Sequence, residues 1–170
     1  NYVILQDTAV RKLVSVTNVV AVTNSGNIPL IAGQKYLVEF QANQNTAAGR
    51  LDLRFNADAG ALYKWVAVTE STGAGPVNGA GANAATEIRL SGADLVAVGS
   101  SIAGSFEFTP KAGDPTIGNI STRLSYLTGV NLQGTTGAGY YDGAANITSL
   151  QFLTSAGTFT GKILVYAIPS

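Results

Sequence analysis

A strict two-residue alternation of apolar and polar side chains recurs along this chain and limits what it can fold into. Between residues 35 and 42, Tyr36, Val38, Phe40 and Ala42 fall on one side, with Lys35, Glu39 and Gln41 on the other. Between 50 and 56, Leu51, Leu53 and Phe55 alternate with Arg50, Asp52, Arg54 and Asn56. Between 101 and 109, Ile102, Phe106 and Phe108 stand against Ser105, Glu107 and Thr109. Successive side chains of an extended strand point to opposite faces, so this period belongs to a strand with one buried face. The pattern predicts further strands at 10–22, 62–68 (Tyr63 and Trp65 opposite Lys64), 87–90 with 95–98, 120–127, 147–153 and 159–168. All are enriched in Val, Thr, Tyr or Phe.

Turn signals separate these segments, built on Gly26, Gly33, Gly49, Gly60, Gly92, Gly113 and Gly157. No window has a sustained helical period. A chain of 170 residues fits one domain, 1–170. The expected fold is all-β, a single antiparallel sandwich of about eight to ten strands. The last segment, 159–168, is apolar on both sides, with Phe159, Ile163 and Val165 on one and Leu164, Tyr166 and Ile168 on the other. Such a strand lies centrally in a fold or against a partner.

Two stretches, 70–86 and 129–146, break the alternation and are rich in Gly and Ala. Both read as long loops within the domain, and loops of that length tend to be functional or ordered by a partner. The second carries Tyr140 and Tyr141 side by side, so in extended backbone at least one points outward. An exposed tyrosine stacks on a sugar ring or buries against a neighbouring subunit. Tyr140 and Tyr141 are therefore candidate interface or glycan contacts. Trp65, flanked by Tyr63 and Val66 in sequence or period, is a candidate for core or subunit-interface packing.

The residue types present exclude several chemistries. The chain has no His and no Cys, so imidazole bases, thiol nucleophiles and zinc sites built from either are impossible. Several carboxylates, Glu39, Asp52 and Glu107, fall on the polar side of strands, where solubility and cross-strand pairing account for them. Asp58 and Asp142 each sit alone in a Gly-containing loop, too few ligands for calcium and well suited to a turn. Gly137 and Gly139 lack the third glycine of a dinucleotide fingerprint. No catalytic, cofactor-binding or metal residue is assigned, no cofactor is expected, and the chain is expected not to be an enzyme.

Charge bears on partners. Charged residues make up 12% of the chain, ten basic and ten acidic, against about 25% in ordinary soluble domains. The basic residues are scattered apart from Arg11 and Lys12, which argues against a nucleic-acid partner. No apolar run approaches the ~20 residues of a membrane helix, and the apolar Tyr2-Val-Ile-Leu5 is too short for a secretory signal. A surface this poor in charge suits packing against copies of itself. Residue 1 is Asn rather than Met, and an upstream segment, cleaved or missing, is expected.

Two parts of the chain resemble a known group. The run IAGQKYLVEF at 31–40, followed by GRLDLRFNADAG at 49–60 and Tyr63, is similar to segments recurring in tailed-bacteriophage virion proteins. The C-terminal run from Ile147 to Ile168 resembles the closing hairpin of the same proteins, with Ala167 where they usually carry Gly. The middle of the chain is unmatched. The resemblance implies a jelly-roll related to tumour-necrosis-factor-like trimers, and it brings no catalytic residues. It implies a homotrimer on the outer surface of the virion, as a capsid decoration (cement) protein bound to the major capsid protein. The alternative it implies is a fibre or receptor-binding head that recognises a host glycan.

Overall fold

In a computed structural model, residues 11–73 and 78–169 are described. They form twelve strands: β1 Lys12–Val22, β2 Ile28–Pro29, β3 Lys35–Gln44, β4 Leu51–Phe55, β5 Tyr63–Ser71, β6 Asn78–Ala85, β7 Ile88–Arg89, β8 Ser101–Lys111, β9 Asp114–Thr128, β10 Asn131–Asp142, β11 Ser149–Thr154 and β12 Phe159–Ile168. They pair antiparallel into two sheets. The large sheet has eight strands in the order β1-β12-β3-β8-β9-β10-β5-β6, and the small one four, β2-β11-β4-β7. The chain is thus all-β, two sheets packed as a sandwich. Four of its pairings are nested along the sequence: β3 with β12, β4 with β11, β5 with β10 and β8 with β9.

The alternating segments lie where their period requires. Tyr36, Val38 and Phe40 of β3 and Phe106 and Phe108 of β8 turn inward from the large sheet; Leu53 and Phe55 of β4 and Leu150 and Phe152 of β11 meet them from the small one. Phe40 meets Phe152 edge-on at 5.0 Å between ring centres, and Phe55 meets Phe108 at 4.9 Å. Each buried aromatic of this kind contributes about 1.5–3 kcal/mol by leaving water. β12, apolar on both sides, lies between β1 and β3, with Ile163 and Val165 in the core.

Both stretches read as loops contain strands instead. β10 is twelve residues long and fully paired between β9 and β5. Its period was invisible because Gly, Thr and Gln stand on the inward side and Leu132 and Thr136 on the outward one. The glycines answer to packing rather than to turning. A Cβ on Gly137 would stand 2.7 Å from the Val66 carbonyl oxygen, and one on Gly139 would stand 2.7 Å from Ile88 Cδ1. The inward hydroxyls satisfy one another: Thr135 lies 2.9 Å from Thr69 Oγ1 and 3.0 Å from the Tyr126 hydroxyl. β6, made entirely of Gly, Ala and Asn, forms the far edge by pairing with β5. Its propensity is poor, and the β5 ladder supplies what local sequence lacks.

Other departures are smaller. The expected strand at 95–98 is a single bridge between Gly49 and Val96. Two strands of two residues, β2 and β7, carry too little sequence to show a period. Tyr2, Leu5 and Val10 lie outside the described residues, as do residues 74–77 of the first Gly-rich stretch.

Candidate functional site

The large sheet turns one face to the small sheet and the other to solvent, so every strand in it carries an outward row. That outer face divides into three zones. At the β1–β12 end it is apolar: Val16 stands opposite Leu164 and Leu13 opposite Tyr166. Leu13, Val16 and Val20 are 48%, 47% and 75% exposed, while Leu37, on the same face of β3, is buried beside Tyr166. In the middle the face is polar. Glu39, Ser105, Glu107, Ser121 and Arg123 line a trough of about 480 Å³, and Lys35 pairs with Glu107 at 3.2 Å. Beyond it the face becomes apolar again. Leu127 and Leu132 are cross-strand partners between β9 and β10, and Val66 and Val68 stand out from β5.

At the other end of β10, roughly 27 Å of strand from Leu132, the same face forms an open groove of about 300 Å³. Its floor is low on both sides of β5, where β10 and β6 carry almost no side chains, and Val66 of β5 stands up between them. Ala138 of β10 and Gly81 of β6 are the partners of Val66 on either side of β5. Tyr140 rises above this floor, with Asn119 its direct partner on β9 and Lys64 its direct partner on β5. Asn83 of β6 lines the opposite wall. The Lys64 ammonium lies 5.6 Å from the centre of the Tyr140 ring, a cation–π contact. So the two Gly-rich stretches that sequence assigns to loops flank β5 and together build the groove.

The three singled-out aromatic residues separate. Tyr140 is half-buried in the groove. Tyr141 faces inward and is buried, its ring 4.7 Å from Tyr63 and 5.6 Å from Phe55. Its hydroxyl donates to Asp58 Oδ2 at 3.0 Å; burial, reinforced by that carboxylate, pushes the phenol up to about 12. A core ring cannot contact a glycan or a subunit, so Tyr141 leaves the candidate list. Trp65 is also core, lying under the groove with the Arg89 guanidinium 5.4 Å from its ring. Sequence reasoning missed Asn83 and Asn119, because an amide on a strand carries no signal until its neighbours are known.

Apart from the neighbours Asp52 and Glu87, the carboxylates have separate local roles. Asp58 accepts from the Gly60 amide at 2.7 Å and from Tyr141, and Tyr63 donates toward its carbonyl. That is a turn held by two buried tyrosines. Glu107 and Glu39 are on the outward face as the period requires. Asp52 is not what its period suggests: it points away from the core of the small sheet yet is only 4% exposed. It lies among Arg50, Arg54, Arg89 and Glu87, and its Oδ1 has no hydrogen-bond partner. Burial raises its pKa to about 7, against the pull of the arginines. The solubility half of the reading of Asp52 therefore fails, while its direct cross-strand partner is an opposite charge, Arg89. Glu87 beside it goes the other way: burial pulls its pKa up, but hydrogen bonds from Thr86 and from Arg54 at 3.0 Å win and lower it. Among the described residues no three acids gather as a metal site would require.

Comparison with protein-family models, with curated proteins and with solved structures finds no match to this chain.

Proposed function

We propose that this chain is a non-enzymatic virion protein of a tailed bacteriophage that assembles as a homotrimer through the outer face of its large sheet. The observation that carries the reading is the presence of two separate apolar patches at opposite ends of one face, with a polar belt between them. A closed three-fold ring needs a head-to-tail contact, in which one patch of a copy meets a different patch of the next. The Leu13–Val16–Val20 patch and the Leu127–Leu132–Val68 patch are such a pair. Equal numbers of acidic and basic residues impose no like-charge penalty on self-association.

The nested strand pairing supports a jelly-roll lineage, since winding one long hairpin over on itself generates that nesting. Within the virion, the reading is a cement protein on the outer surface, bound to the major capsid protein and stabilising the head by non-covalent burial. Heating particles assembled with and without the protein tests it. The cement reading expects rupture at lower temperature when the protein is missing, and unchanged rupture temperature overturns it. Sedimentation of the isolated chain tests trimerisation on its own.

A further inference from the structure

We propose that the groove around Tyr140 is a carbohydrate subsite that takes a neutral pyranose. This goes beyond the assembly reading and does not rest on it, since none of the side chains named for either assembly patch lines the groove, although Val66 of the groove stands in the same outward row of β5 as Val68.

Three features of the groove point to this ligand class. First, a pyranose presents a flat face of C–H groups, which packs on an aromatic ring only where that ring stands free of bulky neighbours. Beside Tyr140 the small residues Ala138, Ala82 and Gly81 leave the floor low on both sides of Val66, while the Lys64 ammonium lies 5.6 Å from the ring centre, so a sugar shares the ring with Lys64 or displaces it. Second, sugar hydroxyls need partners that both donate and accept, and a carboxamide offers both from one side chain. Asn83 and Asn119 flank the groove from β6 and β9, both are exposed, and among the described residues neither side chain makes a protein hydrogen bond. Third, the lining carries a single charge. That charge is Lys64, and its ammonium is already engaged with the Tyr140 ring. A neutral sugar therefore suits the groove better than an anionic one. At about 300 Å³ the groove is at the small end of ligand sites, so a single ring or a pair is the expected occupant and the affinity is weak, on the order of millimolar.

The groove is also unlike a protein-docking patch. Only Val66 among its walls is a large apolar side chain, whereas the patches on either side of the polar belt are built from Leu and Val.

The test is saturation-transfer NMR and titration of the full chain with maltohexaose, cellohexaose and chitohexaose, and with a polygalacturonate oligomer as the anionic arm. The expected result is saturation of at least one neutral oligomer at millimolar sugar, with no stronger response from the polyuronate. Tyr140→Ala is expected to weaken that binding about tenfold, Tyr140→Phe to retain the stacking share of it, and Asn119→Ala to weaken it severalfold. Ala138→Leu, a change at an exposed outward position, raises the floor and is expected to abolish it. Val16→Ser, on the far patch, is expected to leave it unchanged. The proposal is overturned if no neutral oligomer responds, if the polyuronate binds more tightly, or if Tyr140→Ala and Ala138→Leu bind as the wild type does. Far-UV circular dichroism of each variant excludes unfolding as the cause of a loss.

Discussion

The two ends of the large sheet's outer face share a backbone lattice and a buried inner row, yet differ in what they offer. At the β1–β12 end, branched apolar side chains stand in solvent: Val20 is 75% exposed, and Val16 pairs with Leu164. At the β10–β5–β6 end, Leu132 and Val68 are exposed near one end of their strands, and toward the other the side chains around Tyr140 shrink to Gly and Ala beside Val66, with amides on both sides. Among the described residues, β1 and β6 are the edge strands at the two ends. Exposed branched apolar side chains gain by being covered with a similar surface, which is the logic of subunit contact. A bare floor beside an aromatic ring leaves room for something small. Inner-face packing sets the sandwich, and the outer row is then free to vary from one end to the other.

The largest way to break this comparison is to confuse inward with outward. Tyr140 and Tyr141 are neighbours on opposite faces, so Tyr141→Ala is expected to cost about 3–5 kcal/mol of unfolding free energy, by removing a buried ring from Tyr63 and Phe55 and a hydrogen bond from Asp58. Tyr140→Ala is expected to cost only about 1 kcal/mol, the share of strand propensity and of the Lys64 contact. Urea unfolding of the pair decides this, and equal costs would mean that β10 is out of register.

Next in size is Asp52, on the opposite sheet, which should respond to pH while leaving the large sheet's outer face untouched. Its pKa near 7 in the folded chain exceeds an unfolded carboxyl's ~3.9, so the folded state holds a proton that the unfolded chain has released. The contribution is most favourable below about pH 4, declines as pH rises toward about 7, and is level beyond. Asp52→Asn is expected to remove that decline and to unfold about 2–4 kcal/mol later than wild type at pH 8. Denaturant melts from pH 4 to pH 8 check it, and parallel curves for the two proteins would contradict the buried, unpaired carboxyl.

Smaller effects separate the glycines of the two Gly-rich strands. Gly139→Val would drive a Cβ into Ile88 and is expected to cost about 1–3 kcal/mol. Gly79→Val, on the open edge strand with nothing within 4 Å of the added Cβ, is expected to be neutral or to gain a few tenths of a kcal/mol. The same melts measure both.

These glycines also explain what could be read in the sequence and what could not. β3, β4 and β8 were legible because their inward positions are large and apolar and their outward ones polar, as in Leu51–Asp52–Leu53–Arg54–Phe55. β10 has the same two faces, but Thr135, Gly137 and Gly139 fill the inward one, so alternation in space leaves no alternation in hydrophobicity. β6 has no pattern because an edge strand of Gly and Ala depends on its partner β5. The Tyr140 ring was legible as a candidate, since two adjacent tyrosines on an extended chain must diverge. Which of them faces out depends on register. The amides of Asn83 and Asn119 and the bare floor depend on pairings between segments distant in sequence. Asp52 was misread for a similar reason: its period gives the face correctly, but arginines from β7 and from its own strand close over it.

The central claim is that two different patches on one face join copies head to tail, and sedimentation of two single variants and their mixture tests it most directly. Val16→Asp disables one patch and Leu132→Asp the other, and both positions are exposed, so folding is preserved. The account predicts a wild-type trimer, a monomer for each variant alone, and a dimer when the two are mixed, because a mixed pair retains one complete joint and cannot close the ring. A wild-type monomer, or variants that remain trimeric, would contradict it.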